Sequence, residues 1–221
     1  MTILFLFLIN LIPSNATSIL VMGTSTPLES ALALIEPQKA DISILLHPRH
    51  KKATPLDISI LSRLPESRPR QTLLKTSNTT IVQASLKFPN QKRLHVLAVR
   101  LPNRQKFRIE HRQALKKIEH IRRQLPQKDL VMAAGDFGFD PQEDGKENII
   151  ERDLQPTWLV AHQMIPPPLS PSNTRREIIL FEKGFYDGLK GWKVDRNKTA
   201  WVDVGVPPEN VWILSTSILE N

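Results

Sequence analysis

The chain has 221 residues, of which 40% are hydrophobic and 24% are charged, an ordinary composition for a globular protein. This composition excludes a collagen-like fibre, a wholly disordered chain and a polytopic membrane protein. The sequence contains no cysteine. Disulfide scaffolds, cysteine-ligated zinc, iron–sulfur clusters and thiol catalysis are therefore excluded as well.

The net charge of +8 is distributed unevenly along the chain. Residues 47–128 contain 20 Lys and Arg against four Asp and Glu, whereas the segments on both sides hold more acids than bases. A basic segment of this kind is typical of a surface that binds a polyanion, either nucleic acid or anionic lipid. A solvated basic surface without any partner gives the same pattern, and the sequence leaves both interpretations open.

The N-terminal segment has the features of an export signal. Residues 3–12 are apolar except for Asn10, which is too short a run to span a bilayer, since about 20 apolar residues are needed. Small residues follow and suit cleavage after Ala16, although no basic residue precedes the apolar run. We predict a signal peptide over residues 1–17, a single domain over 18–221, and a secreted or periplasmic protein without an integral membrane span. The alternative is that residues 2–10 form the first strand of the fold.

Hydrophobic patterning predicts a mixed α/β chain. Most strands are short apolar or alternating runs, and the clearest helix, over residues 108–125, has apolar residues at helical spacing. Residues 66–70 combine acid, base and proline and are predicted to be a loop. The two alternating runs around residue 90 are predicted to pair antiparallel. The predicted strands cover residues 18–23, 41–46, 56–61, 79–87, 93–101, 129–134, 177–181, 199–206 and 211–214, with a further helix over 27–36.

Asp136 is the first candidate for a functional side chain. It follows the buried strand predicted over 129–134 and stands between Gly135 and Phe137. A carboxylate on a tight turn at a strand end suits metal or water chemistry, but an Asp in this place also caps its own turn. The residues alone do not decide between these two roles.

The order of several short motifs resembles the endonuclease/exonuclease/phosphatase superfamily, which includes pancreatic-type deoxyribonucleases, neutral sphingomyelinases and inositol-polyphosphate phosphatases. Ile60 to Pro65 is similar to the family's "ILSR-hydrophobe-P" segment, and Gly135 to Pro141 is similar to "GDFN..P". The other matching segments are residues 40–46 for "pDIi.LQE", 94–101 for a hairpin ending in "HL", Arg112-Gln113 for "R..Q", and 183–186 with Trp192 and Asp195 for "GTYYY..W..iD".

The resemblance implies a four-layer α/β/β/α sandwich with two mixed sheets packed face to face. It also implies attack of water on a phosphate ester, assisted by Mg²⁺, at one end of the sheets. By this resemblance Asp136 is a metal ligand and catalytic residue, and Asp195 or Asp203 is the late catalytic Asp. Arg100 is the phosphate-binding residue, and His47 is a candidate replacement metal ligand.

Several family positions hold other residues in this chain. His47 follows Leu46 where the family has the metal-binding Glu, Arg100 replaces the His of "HL", and Gly138 replaces the Asn of "GDFN". These groups supply metal, phosphate and base functions. We therefore expect a degenerate member with weak or no metal-dependent phosphodiesterase activity. The alternative is a non-catalytic exported protein that uses the same fold and a basic surface to bind a polyanion or a protein.

Overall fold

The computed structural model of the chain describes residues 16–23, 33–46, 58–88, 92–138, 154–156, 177–182, 192–203 and 212–220. These residues contain eleven strands, a short 3-10 helix η1 and a longer helix α1. The helices are η1 (Glu36–Gln38) and α1 (Arg108–Gln124). The strands are β1 (Ala16–Gly23), β2 (Ile42–Leu46), β3 (Ile58–Ser62), β4 (Glu66–Lys75), β5 (Thr80–Lys87), β6 (Arg93–Arg100), β7 (Leu130–Asp136), β8 (Leu154–Pro156), β9 (Glu177–Glu182), β10 (Trp192–Asp203) and β11 (Trp212–Glu220).

The strands form two mixed sheets. The first sheet has the order β10-β11-β1-β2-β3, and only its β1 and β2 are paired in parallel. The second sheet has the order β4-β5-β6-β7-β9-β8, and only its β6 and β7 are paired in parallel. The predicted antiparallel pair of β5 and β6 is confirmed, and so is the two-sheet architecture.

The two sheets pack face to face. Val21 and Ile44 of the first sheet share one buried cluster with Val96 and Met132 of the second. Because successive side chains of a strand point to opposite faces, the neighbours of these residues fill separate outer clusters. On the outer face of the second sheet these neighbours pack against α1, and on the outer face of the first sheet they pack against the helical residue Ile35. The order of layers is therefore α/β/β/α.

The chain connection between β3 and β4 shows which strand ends meet at the same end of the sandwich. Ser62 ends β3 beside Ile42, the start of β2. Only three residues separate Ser62 from Glu66, which starts β4 in the cross-strand row that reaches Leu94, near the start of β6. The first residues of β2 and β6 therefore lie at one end, and the C-terminal ends of the parallel strands β1, β2, β6 and β7 meet at the other. We call this other end the site end.

Strand β4 corrects one prediction, because residues 66–70 form a strand and not a loop. It is the edge strand of its sheet and its pairing with β5 is interrupted by register shifts. An edge strand tolerates Pro69 and the exposed charges of Glu66 and Arg70, since one side of its backbone need not pair. The mixture of acid, base and proline in residues 66–70, which predicted a loop, is therefore also compatible with an irregular edge strand.

The other predicted helices and strands that fall in the described ranges are present, with bounds that differ by a few residues; β1, for instance, begins at Ala16 and not at Ser18. The helix predicted over 108–125 is α1, and the described residues 33–35 of the predicted helix 27–36 are helical. The strand predicted over 199–206 belongs to β10, which begins earlier, and the last strand β11 is longer than predicted. Residues 1–15, which contain most of the predicted signal peptide, lie outside the described residues. No helix in the described ranges is long and apolar enough to cross a membrane.

Candidate functional site at the ends of two parallel strands

Arg100 and Asp136 stand side by side at the site end. Each is the last residue of its strand, and the two are register partners in the parallel pair of β6 and β7. In both strands the even-numbered neighbours, such as Ala98 and Ala134, contribute to the core between the sheets. The alternation of a strand therefore directs both charged residues to this inner face. Arg100 is 8% exposed and Asp136 is half-buried.

Hydrogen bonds fix the turn that carries Asp136. The backbone N–H of Gly138 donates to Asp136 Oδ1 at 2.8 Å, so this Asp does cap its own turn. The N–H of Leu101 donates to the carbonyl of Asp136 at 2.8 Å, and the N–H of Arg104 donates to the carbonyl of Gly138 at 3.0 Å. His111 Nε2 of α1 donates to the carbonyl of Phe137 at 2.8 Å. The loop after β6 and the first turn of α1 thus hold the carboxylate at a defined place.

The two glycines of the turn allow this close approach of the backbones. Gly135 has φ +138°, and a Cβ there would lie 2.0 Å from the carbonyl oxygen of Val99. Gly138 has φ +70°, and a Cβ there would lie 2.1 Å from the carbonyl oxygen of Pro102. Any side chain at either position therefore requires the neighbouring backbone to move. This applies to the Asn that the superfamily motif has at the position of Gly138.

Asp195 does not lie beside Asp136. It pairs with Ser217 of β11, and Ser217 pairs with Ser18 near the start of β1, which places Asp195 toward the end opposite the site end. Its Oδ1 accepts a hydrogen bond of 3.0 Å from the N–H of Asn197, next to a bulge in β10. Asp203, the other candidate for the late Asp, ends the same strand and pairs with Trp212 at the site end.

The candidate metal ligand His47 lies outside the described residues. The preceding residue, Leu46, ends β2 at the site end and pairs with Gly23. Mg²⁺ prefers several oxygen ligands, whereas Asp136 has an Arg as its register partner and one oxygen engaged by Gly138. No group of three His, Asp or Glu residues in the described ranges is placed to hold a metal ion. The described residues do not fit a magnesium site, and no step of the function proposed below passes through one.

A buried polar network lies in the second sheet toward the opposite end. His95 Nδ1 shares a hydrogen bond of 2.9 Å with Ser85 Oγ, and its Nε2 shares one of 2.9 Å with Asp129 Oδ2. The combination resembles the side chains of a nucleophilic hydrolase site. However, the three residues are at most 5% exposed, so no substrate reaches them. The network was not predicted from the sequence, although His95 lies on the same face of its strand as the apolar Leu97.

A shallow cleft lies at the end opposite the site end. It has a volume of 290 Å³ and is lined by residues of η1, β2 and β3, among them Lys39, Ser43 and Arg63. Arg63 Nη1 donates to the carbonyl of Lys39 at 3.4 Å, so the cation is partly engaged by the wall of the cleft. The cleft contains none of the site residues predicted from the sequence.

Comparison with solved structures identifies the fold. A humanized TDP2 from D. rerio superposes with a TM-score of 0.73 and 12% identity over 93% of this chain and 99% of that chain. D. rerio TDP2 complexed with a single-strand DNA product gives a TM-score of 0.69 and 11% identity over 92% of this chain and 98% of that chain. Sphingomyelinase C from Streptomyces griseocarneus gives 0.56 and 13% over 93% and 99%. An endonuclease/exonuclease/phosphatase from Beutenbergia cavernae gives 0.62 and 13% over 93% and 72%.

The sequence itself matches no family model and no curated protein. The structural similarity covers nearly the whole chain, while the identities of 11–13% are too low to indicate a shared activity. The chain therefore has the fold of the endonuclease/exonuclease/phosphatase superfamily.

Proposed function

We propose that this protein binds phosphodiester anions at the site end of its sandwich and hydrolyses them weakly or not at all. The observation that carries the proposal is the register of β6 and β7, in which Arg100 and Asp136 are neighbours at the ends of the two strands. A cation stands where the superfamily motif has a His, directly beside the carboxylate that the motif retains.

The chemistry of Arg100 suits a phosphodiester. A guanidinium stays charged at every physiological pH and presents parallel N–H donors that match two oxygens of a phosphate. Only 8% of Arg100 is exposed, so a phosphate has to contact that exposed part of the side chain, where little water competes for the guanidinium. A neighbouring carboxylate offsets part of the cost of holding a cation in the core, and Asp136 is the register partner of Arg100. The arrangement can recognise an anion without supplying a nucleophile.

The replaced positions argue against efficient hydrolysis. Gly138 has no amide side chain to donate to a phosphate oxygen, and Arg100 has no imidazole to exchange a proton. Groups of these kinds each contribute orders of magnitude to the rate of phosphate ester hydrolysis. The backbone contact between Gly138 and Pro102 also opposes reinstating the amide by a single substitution.

Two of the solved structures with this fold support a phosphodiester as the ligand. One of them was determined with a single-strand DNA product, and another is a sphingomyelinase. The basic segment over residues 47–128, which contains Arg100, favours the same class of anion. Nucleic acid and anionic lipid both carry phosphodiesters, and the site end recognises the group that they share.

A metal-dependent phosphoesterase is the second candidate function. It is favoured by the position of Asp136, which ends a central strand where the superfamily motif has its metal-site Asp. In that case Asp136 would have to hold Mg²⁺ together with residues outside the described ranges, for which His47 is the candidate, and Arg100 would contact the phosphate. Metal-dependent turnover that is lost in Asp136→Asn distinguishes this candidate from simple binding.

The binding proposal is tested with a fluorescent single-stranded oligonucleotide and the variant Arg100→Gln. We expect the affinity to fall about tenfold or more, because a charge-assisted contact is lost. The control is Arg93→Gln, which removes the same charge from the exposed first residue of the same strand. Arg100→Lys keeps the charge and is expected to recover part of the affinity. Equal losses in Arg100→Gln and Arg93→Gln, with melting temperatures unchanged, contradict the proposal.

Export remains a proposal based on the sequence of residues 1–17. The motivating feature is the short apolar run followed by small residues up to Ala16. Mass spectrometry of the protein recovered from its native host checks it, and we expect the mature chain to begin at Thr17 or Ser18. Recovery of the intact chain beginning at Met1 contradicts it.

A further inference from the structure

The start of α1 displays two large apolar side chains to solvent. Phe107 is 42% exposed and Ile109 is 77% exposed, and they are the exposed large hydrophobic residues of the described ranges. Single exposed apolar residues are common on protein surfaces, but two within three positions at one helix end form a local apolar tip. This tip lies near the site end, because His111 of the same turn of α1 contacts the carbonyl of Phe137.

Cations surround this tip on the exposed face of α1. Arg108, Arg112 and Lys116 follow one another at intervals of four residues and are all exposed. Ile109, Arg112 and Lys116 also share one stripe of the helix, since residues three or four apart lie above one another. We call Phe107, Ile109, Arg108, Arg112 and Lys116 the basic ridge. Like charges at this spacing repel one another, so an anionic partner relieves the repulsion.

The acids of α1 do not neutralise the ridge. Glu110 is turned away from it and accepts hydrogen bonds from Thr76 Oγ1 at 3.1 Å and from Asn78 Nδ2 at 3.3 Å. Glu119 is engaged by Arg123 in the following turn. Within the part of the chain that the structure describes, no acid forms an ion pair with the three ridge cations. Among the described residues, the ridge therefore presents cations that no acid pairs, together with apolar side chains.

We propose that the basic ridge docks the protein onto an anionic lipid bilayer. Cations bind the anionic headgroups, while Phe107 and Ile109 enter the boundary between headgroups and acyl chains. The ring of Phe107 suits a nucleic-acid base as well as a lipid, but the more exposed Ile109 is aliphatic and favours the acyl-chain boundary, because it offers no ring on which a base stacks. Docking does not depend on hydrolysis or on Arg100.

The ridge is suited to docking because α1 is rigidly held. Its opposite face contributes Ala114, Leu115, Ile118 and Ile121 to the outer core of the second sheet. The ridge side chains thus project from a fixed element. Since α1 begins at the site end, docking through its first turns brings the end that carries Arg100 and Asp136 toward the lipid headgroups.

The experiment is sedimentation of the full chain with phosphatidylcholine vesicles that contain phosphatidylserine, compared with phosphatidylcholine alone. The charge variant combines Arg108→Gln, Arg112→Gln and Lys116→Gln. The matched control combines Arg68→Gln, Lys87→Gln and Arg93→Gln, three exposed cations of the second sheet near the opposite end. Ile109→Ser tests the apolar contribution, and a single-stranded oligonucleotide is measured in parallel with all variants.

We expect binding that requires phosphatidylserine, with the charge variant weakened roughly a hundredfold, because each cation near an anionic surface contributes about fivefold. The control variant is expected to lose far less, and Ile109→Ser is expected to lose about tenfold on vesicles while retaining oligonucleotide affinity. The proposal is overturned if the control loses as much as the charge variant. It is also overturned if the wild type does not bind the vesicles, or if Ile109→Ser binds them unchanged. Melting temperatures of all variants show whether a loss comes from unfolding.

Discussion

Arg100 and Asp136 are register partners at the last positions of two parallel strands, and the alternation of both strands directs the two side chains to the inner face at one end of the sandwich. The two residues therefore lie at the same end of the sandwich. A direct ion pair between the two side chains stays a prediction. The relationship has consequences for stability and for binding that can be measured separately.

A double-mutant cycle with Arg100→Gln and Asp136→Asn measures the ion pair. We expect a favourable coupling of about 1 kcal/mol in the free energy of unfolding, because Asp136 is half-buried and partly screened by water. The cycle of Asp136→Asn with Lys87→Gln is the control, since Lys87 lies at the other end of the same sheet. A coupling near zero in both cycles shows that the side chains do not interact.

Gly138→Asn restores the residue of the superfamily motif and is expected to destabilise the fold by about 1–3 kcal/mol. Asn itself tolerates a positive φ better than most residues, so the loss reports the overlap of its Cβ with the carbonyl of Pro102. Gly138→Ala has the same Cβ and should lose a comparable amount in urea unfolding. A Gly138→Asn protein as stable as the wild type would show that the backbone at Pro102 moves away from the new Cβ at no measurable cost in stability.

Asp129→Ala breaks the buried network around His95 and is expected to cost about 3 kcal/mol, because the imidazole loses its buried partner at 2.9 Å. Ser85→Ala removes one hydrogen bond of the same ring and should cost about 1 kcal/mol. The exposed substitution Lys87→Gln serves as the reference, with a change within about 0.5 kcal/mol. If Asp129→Ala changes the free energy of unfolding no more than Lys87→Gln does, the network does not stabilise the sheet. Binding of anions at the site end is expected to survive in both variants that remain folded.

Oligonucleotide binding is expected to weaken steeply with salt. If the basic segment contacts several phosphates, counterion release lowers the affinity by about tenfold or more between roughly 50 and 200 mM salt. The measurement is a titration series in which the logarithm of the affinity is plotted against the logarithm of salt concentration. An affinity that does not change with salt would show that the positive charges of residues 47–128 do not contact phosphates and contribute only to solubility.

Much of the fold could be predicted because its strands are short apolar or alternating runs. Apolar residues stand at every second position from Val82 to Leu86 in β5 and from Leu94 to Ala98 in β6, and the predicted antiparallel pair is the observed one. The edge strand β4 could not be predicted in this way, since its exposed charges and Pro69 obscure the alternation. Its strand conformation depends on pairing with β5, which is a long-range property.

The candidate site was predicted only in part. Arg100 and Asp136 could be placed together because each closes a strand in the order of motifs that the superfamily shows. Asp195 could not be placed from that order, because the end at which it lies depends on the hairpin register of β10 and β11. The network of Ser85, His95 and Asp129 is only weakly visible in the sequence. Its signal is that Ser85 and His95 are polar residues at strand positions where the alternation predicts buried side chains.

The central claim is that the site end binds phosphodiesters with little or no turnover. The decisive measurement is the hydrolysis of bis(4-nitrophenyl) phosphate by the wild type and by Asp136→Asn, each with added Mg²⁺ or Mn²⁺. We predict rates that do not differ between the two proteins and do not exceed that of the buffer with the metal by more than about tenfold. A metal-dependent rate in the wild type that disappears in a folded Asp136→Asn protein would contradict the account and establish a working phosphoesterase.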